Sequence, residues 1–89
     1  MLLRRRHGAS MNTHRHLFAA LETAHRAGYL KQALKRYTRS QLIDLCMWND
    51  PNGCYSDEAM RLEYGHRSSA TDLRAIVAQW VIDSTGVAA

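Results

Sequence analysis

The chain of 89 residues is long enough for one domain but not for two, and its apolar fraction of 46% is typical of a folded protein. No apolar run approaches the length of a membrane span, and no apolar segment follows the arginines near the N-terminus. The sequence therefore predicts neither membrane insertion nor secretion, and we expect a cytoplasmic protein with reduced cysteines.

The net charge of +4 conceals an uneven distribution along the chain. Residues 1–40 carry nine Lys and Arg against one acid, a charge of +8, whereas residues 41–89 carry three against seven, a charge of −4. Such a split favours an acidic or polyanionic partner for the first half. Attraction between the two halves, within one chain or across a homodimer, explains the same pattern equally well.

Residues 1–11 form a short basic segment, which we expect to be a flexible tail ahead of a helical domain at residues 12–86. Met11 offers a second possible start of translation besides Met1. If the natural start is Met11, the arginine run of the tail does not belong to the protein.

A first helix is predicted to begin with Asn12 or Thr13 as its N-cap and to end near Ala27. Gly28 suits the residue after a helix end, because glycine adopts the left-handed conformation without strain. The histidines of this segment lack a cysteine or acid at ligand spacing, so they do not indicate a zinc site.

A second helix is predicted over residues 29–37, where apolar side chains recur at helical spacing. Its opposite face is expected to carry cations at intervals of four residues, which is typical either of a solvated face or of a binding surface. The candidate binding residues of the first half are all basic: Arg15, Arg26, Lys31, Lys35, Arg36 and Arg39.

The segment Thr38–Gln41 reads as a capping box and opens a third helix that must stop before Pro51. The residues Asp50-Pro51-Asn52-Gly53 match a type I turn position by position. Oxygen-bearing side chains also recur here, as in a calcium loop. However, Cys54, Tyr55 and Arg61 stand where an EF-hand needs a ligand, a glycine and a bidentate glutamate. We therefore predict no metal and no cofactor.

Two further helices follow the turn. Ser56 is the expected N-cap of a short helix that stops at Gly65, and a second capping box at Ser69–Asp72 opens a last helix that ends at Gly86. This last helix has the strongest apolar periodicity, so it should be the central one. The predicted core consists of Leu42, Leu45, Leu73, Ile76, Val77 and Trp80.

These elements predict an all-α fold, a small single-domain bundle of four or five short helices. The segment Thr38–Gly65, with the pattern TR-QLID-WNDPNG-YSDE, resembles segments of small bacteriophage and prophage proteins. The resemblance covers about a third of the chain. It implies an inhibitor of a host system, as the anti-CRISPR proteins are, and it transfers no functional residue.

Catalysis is not indicated, because the sequence contains no nucleophile elbow, no P-loop and no defined pair of carboxylates. We therefore expect a non-enzymatic interaction protein that binds an acidic protein surface. The alternative is a nucleic-acid-binding protein that uses the basic first half, with Tyr29 and Tyr37 among its charges. A helix-turn-helix pattern that would support this alternative is missing.

Overall fold

The structure is a computed structural model that describes the backbone of residues 2–87 and the side chains of residues 13–87. Within that range it contains five helices and no strand, which confirms the predicted all-α fold. None of these helices combines the length and the apolar composition needed to cross a membrane. The helices are α1 (Leu2–Ala27), α2 (Leu30–Leu34), α3 (Arg39–Asn49), α4 (Asp57–Tyr64) and α5 (Ala70–Thr85).

The first helix, α1, begins at Leu2, well before the predicted start at Asn12 or Thr13. The residues predicted as a basic tail, 1–11, therefore overlap its first turns. Their side chains lie outside the described residues, so the flexibility of this segment remains a prediction. At its other end α1 stops where the sequence predicts, because Gly28 takes a left-handed φ of 89°.

The predicted N-caps of α3, α4 and α5 are present, whereas the one predicted for the first helix at Asn12 or Thr13 was wrong, because α1 runs through both positions. In α3 the Gln41 backbone N–H donates to the Thr38 hydroxyl at 3.1 Å, and the Thr38 N–H donates to the Gln41 side chain at 2.9 Å. Ser69 and Asp72 make the same reciprocal pair at the start of α5. At α4 the Ser56 hydroxyl accepts the third backbone N–H of the helix at 3.2 Å. These bonds fix where each helix begins, because they satisfy donors that have no partner within the helix.

The second helix is shorter than predicted, since α2 ends at Leu34 and not near Tyr37. After Leu34 the chain tightens into bonds between residues three apart: Arg36 N–H donates to the Ala33 carbonyl, and Tyr37 N–H donates to the Leu34 carbonyl, both at 3.1 Å. The Tyr37 hydroxyl then donates to the carbonyl of Leu17 on α1 at 2.9 Å. Burial at this site raises the pKa of Tyr37. The helix therefore ends earlier than the apolar spacing predicts, and Tyr37 contacts α1 from the turn that follows.

The core lies between α1, α2, α3 and α5, and α5 contacts the other three. Its buried side chains are Leu21, Ala24, Leu34, Leu42, Leu45, Cys46, Leu73, Val77 and Val81. The first helix, α1, likewise contacts the other three, so α5 shares with α1 the central position that was predicted for it alone. Two predicted core residues, Ile76 and Trp80, are only half-buried and pack against the edge of the core. The buried line of α5 runs instead through Leu73, Val77 and Val81, which recur every four residues.

The predicted turn after α3 is present, and the side chain of Tyr55 packs against it. The Gly53 N–H donates to the Asp50 carbonyl at 3.0 Å, which closes the turn. The Tyr55 hydroxyl donates to the Asp50 carboxylate at 2.9 Å, and its ring meets Trp80 edge-on, with 5.8 Å between centroids. Burial, followed by this hydrogen bond, raises the pKa of Tyr55 to about 12. The contact between Tyr55 and Trp80 therefore attaches the turn to α5.

Candidate binding groove

Two of the predicted binding residues, Lys31 and Lys35, lie exposed beside a groove between α2 and α5. We call it the α2–α5 groove. Its volume is about 400 Å³, within the range of roughly 300–1,000 Å³ that small-ligand sites occupy. Its surface is mainly apolar, although three of its lining residues are cationic. It is lined by Leu30, Lys31, Leu34, Lys35, Thr71, Arg74, Ala75 and Ala78.

The third cation that lines the groove is Arg74 on α5. Its Nε donates to the carbonyl of Leu34, the last residue of α2, at 3.3 Å. The same carbonyl also accepts the Tyr37 N–H, so Arg74 gives it a second hydrogen bond. Arg74 therefore ties the end of α2 to α5. The sequence interpretation missed this residue because it counted Arg74 with the acidic half; the available signal was a single cation in the apolar stretch that begins at Leu73.

The remaining predicted cations are distributed over neighbouring surfaces. Arg36 lines a smaller cavity of about 250 Å³ between α1 and α2, together with Tyr29 and Tyr37. Arg15 and Arg26 are exposed on α1 and line neither of these two cavities. Because they are eleven residues apart on a helix, they share a face, separated by roughly 16 Å. The structure therefore gathers Lys31 and Lys35 at one site and leaves Arg15 and Arg26 outside it.

Arg39 does not belong to the basic face, which corrects the predicted stripe. As the first residue of α3 it cannot continue the face of α2. Its Nε and Nη2 donate to the Ser68 carbonyl at 3.0 and 2.8 Å, and its Nη1 donates to the Asp57 carboxylate at 3.2 Å. A further bond joins its Nη2 to the other Asp57 oxygen. Arg39 is therefore a structural residue that ties α3 to α4 and to the segment before α5.

Asp57 is the only carboxylate that forms ion pairs among the described side chains. It pairs with Arg39 and, at 3.8 Å, with Arg67. The pair with Arg39 joins the basic half of the sequence to the acidic half. Lys31 and Lys35 pair with no carboxylate in the part of the chain that the structure describes. Among the described cations of residues 13–40, only Arg39 is therefore paired with a carboxylate, and the others are exposed: Arg15, Arg26, Lys31, Lys35 and Arg36.

The helix α4, in the acidic half of the sequence, makes few contacts with the rest of the described chain. None of its residues is buried, and none of the other helices in the described chain approaches it closely. Leu62 is 82% exposed and Tyr64 is 62% exposed. Its N-terminal end is anchored by the pairing of Asp57 with Arg39, and Gly65 ends it with a left-handed φ of 80°. An ordered helix thus offers apolar side chains to solvent.

We expect Asp57→Asn to release α4 while the core stays folded. The Arg39 hydrogen bond, together with nearby positive charges, holds the pKa of Asp57 below its usual range. The folded-state pKa is therefore lower than the unfolded value of about 3.9. The stabilisation that ionised Asp57 gives to the folded state is therefore complete above the unfolded pKa. It is lost as the pH falls through the folded pKa. Hydrogen exchange in the variant should accelerate at α4 amides and not at α3 amides.

The matched control is Asp44→Asn, which removes an exposed carboxylate of α3 that pairs with no cation in the described chain. It should leave the exchange of α4 unchanged. Equal acceleration in the two variants would show that the Arg39 pairing does not hold α4.

Among residues 13–87, the side chains that could bind a metal ion lie apart from one another. In the described part of the chain, no three His, Cys, Asp or Glu side chains come close enough to hold a metal ion. Cys46 is buried in the core, and desolvation, followed by the negative charge of Asp50, raises the pKa of its thiol to about 11. Such a thiol stays protonated near neutral pH, as expected of a core residue. That the protein needs no metal or cofactor remains a prediction.

The fold and the groove define a small all-α domain with an apolar groove that cations line in part. Comparison with known proteins adds no relative: no family model matches the chain, and no significant match is found among characterised proteins or solved structures. The resemblance of Thr38–Gly65 to small phage proteins therefore remains untested.

Proposed function

We propose that the protein is a non-enzymatic interaction protein that binds an acidic segment of a partner protein at the α2–α5 groove. The observation that supports this most is the combination of an apolar groove with three cations, Lys31, Lys35 and Arg74, along its lining. An apolar side chain of the partner would fill the groove, and flanking carboxylates would pair with the cations.

The two parts of the groove contribute differently to binding. Exposed ion pairs are worth only about 0–1 kcal/mol each, whereas burying one leucine or phenylalanine side chain is worth about 1.5–3 kcal/mol. The apolar surface should therefore supply most of the affinity. The cations should mainly accelerate association and exclude basic partners, with an effect that weakens as salt is added.

The resemblance of Thr38–Gly65 to small phage proteins extends this proposal to the kind of partner. An acidic segment of a host protein would be the target, and occupation of that segment would inhibit the host system. The groove-lining residues of α2 and α5 lie outside Thr38–Gly65. Within this proposal, the resembling segment therefore supplies the scaffold and α4, and not the groove.

Nucleic-acid binding is a second candidate, and one observation favours it. Tyr29 is 48% exposed and lies with Arg36 along the cavity between α1 and α2. An exposed aromatic ring beside a cation suits base stacking and phosphate contact. The apolar lining of the α2–α5 groove does not suit phosphates, so the protein partner remains the first candidate.

The experiment compares two probes of similar negative charge by fluorescence anisotropy: an amphipathic helical peptide bearing glutamates and one leucine face, and a short DNA duplex. We expect the wild type to bind the peptide more tightly than the duplex. Lys31→Glu with Lys35→Glu should weaken peptide binding by about tenfold or more, mainly through slower association, because both exposed cations beside the groove are reversed.

The matched control is Arg15→Glu with Arg26→Glu, which changes the net charge equally at exposed sites outside the groove. It should retain most of the peptide affinity. Equal loss in both variants would point to a diffuse electrostatic field and overturn the groove as the site. Tight duplex binding that falls steeply with salt would establish the nucleic-acid candidate instead.

A further inference from the structure

Two surfaces of the chain are complementary and are left open in the monomer. The first is the α2–α5 groove, apolar with Lys31, Lys35 and Arg74 along its lining. The second is the outer face of α4, where Leu62 is 82% exposed. Glu58 lies one helical turn before Leu62 on the same face, whereas Glu63, the next residue, lies about 100° further round the helix; both are exposed. One surface offers an apolar recess beside cations, and the other offers an apolar side chain beside carboxylates.

We propose that α4 of one copy docks into the α2–α5 groove of a second copy, and that the two copies do so reciprocally. Leu62 enters the groove, Glu58 faces the cations beside it, and Glu63 lies at the flank of the contact. The proposal rests on the proposed function in one respect, since α4 occupies the same groove as the partner's acidic segment. Self-association therefore competes with partner binding.

The positions of the two surfaces suit a closed dimer. The two surfaces are close along the chain, because α4 ends at Tyr64 and Thr71, which lines the groove, follows seven residues later. When two complementary patches are neighbours on one surface, a two-fold axis between them pairs each patch with the other on the second copy. Such a dimer has two equivalent contacts and no free patch, so it does not grow into a filament.

The size of the contact sets the expected strength. An eight-residue helix is about 12 Å long, so each docked α4 covers a small area. Stable interfaces generally bury more than about 1,000 Å² in total, and two such contacts lie near that boundary. We therefore expect a reversible dimer in the micromolar range, favoured at low salt and dissolved by an acidic amphipathic peptide.

The test uses analytical ultracentrifugation of the pure protein across the micromolar range. The groove variant is Lys31→Glu with Lys35→Glu, and the helix variant is Glu58→Lys with Glu63→Lys. Each alone places like charges in both contacts of its own dimer and should stay monomeric. An equimolar mixture should form a dimer, because both contacts between the two variants then join opposite charges. The result that overturns the proposal is a monomeric wild type, a self-associating variant or a monomeric mixture.

A second pair of variants keeps the test independent of charge and of helix stability. Leu62→Ala should weaken the dimer at least about tenfold, since it removes the side chain that fills the groove. Met47→Ala removes a 46%-exposed apolar side chain on α3, outside both surfaces, and should leave the dimer unchanged. Equal weakening in both would overturn the proposal. Because no foreign probe is present, failure here is distinguishable from failure of peptide binding in the proposed function.

Discussion

Replacing Leu42 with alanine is expected to lower the free energy of unfolding by about 2–5 kcal/mol. Leu42 is fully buried, with 0% of its surface exposed, and belongs to the core cluster formed with α1 and α5. The substitution removes buried methyl groups and leaves a cavity that the helices cannot fully close. Small domains are stable by only about 5–15 kcal/mol, so the loss is a large fraction of the total. Urea unfolding followed by circular dichroism measures it directly.

The matched control is Leu62→Ala, the same chemical change at a residue that is 82% exposed. At a dilution where the chain is monomeric, it should alter the unfolding free energy by no more than about 0.5 kcal/mol. A loss at Leu62 comparable to that at Leu42 would contradict the placement of α4 outside the core.

Replacing Gly53 with alanine is expected to cost about 1–2 kcal/mol, although glycine is not needed there for a positive φ. A Cβ atom at this position would lie 2.1 Å from Cε2 of Tyr55 and 2.9 Å from a carboxylate oxygen of Asp50. The tyrosine ring must therefore move. It then loses its hydrogen bond to Asp50 and its edge contact with Trp80. The reduced freedom of the unfolded chain offsets only about 0.4–1 kcal/mol of this loss.

A double-mutant cycle with Tyr55→Ala identifies the cause of this cost. Without the ring, the added methyl group meets no aromatic neighbour, and Gly53→Ala should become neutral or slightly stabilising. Asn52→Ala, at the exposed neighbouring position of the turn, should have little effect in either background. An undiminished cost of Gly53→Ala in the Tyr55→Ala protein would refute the role of the ring and place the strain in the backbone.

The features that the sequence predicted well depend on residues a few positions apart. The capping box of Thr38 and Gln41 spans three residues, and the turn from Asp50 to Gly53 closes with a bond across the same interval. Their chemistry is complete within one short segment, so the surrounding fold need not be known. The ends of α1, α4 and α5 at glycines were predictable for the same reason.

The features that the sequence did not predict depend on contacts between distant segments. Arg39 fits the spacing of a basic stripe, but its partner Asp57 is 18 residues away, and this pairing makes Arg39 structural. Trp80 lies on the apolar stripe of the last helix. Which part of that stripe faces the core depends on how α1 and α3 pack against it. In the structure Val81 is buried, and Trp80 is not.

The sequence predicted the residues that α2 contributes to the candidate groove, but not those that α5 contributes. The basic spacing identified Lys31 and Lys35, because exposed cations on one helix face follow from local sequence. The apolar lining and Arg74 come from α5, and the bond from Arg74 to Leu34 spans 40 residues. Helical periodicity indicates which residues of α5 are apolar, but it does not indicate that α2 lies across them.

The separation of α4 from the core has a consequence for how the protein can evolve. In a small domain a typical substitution costs about 1 kcal/mol, so selection for folding removes many changes before they can alter recognition. The outward side chains of α4, Leu62, Glu63 and Tyr64, carry none of the buried packing. Sequence drift there changes what the helix recognises while the core keeps its stability. A lineage can therefore change the surface of α4 by single substitutions without losing the fold, whereas keeping the dimer requires a matching change in the groove.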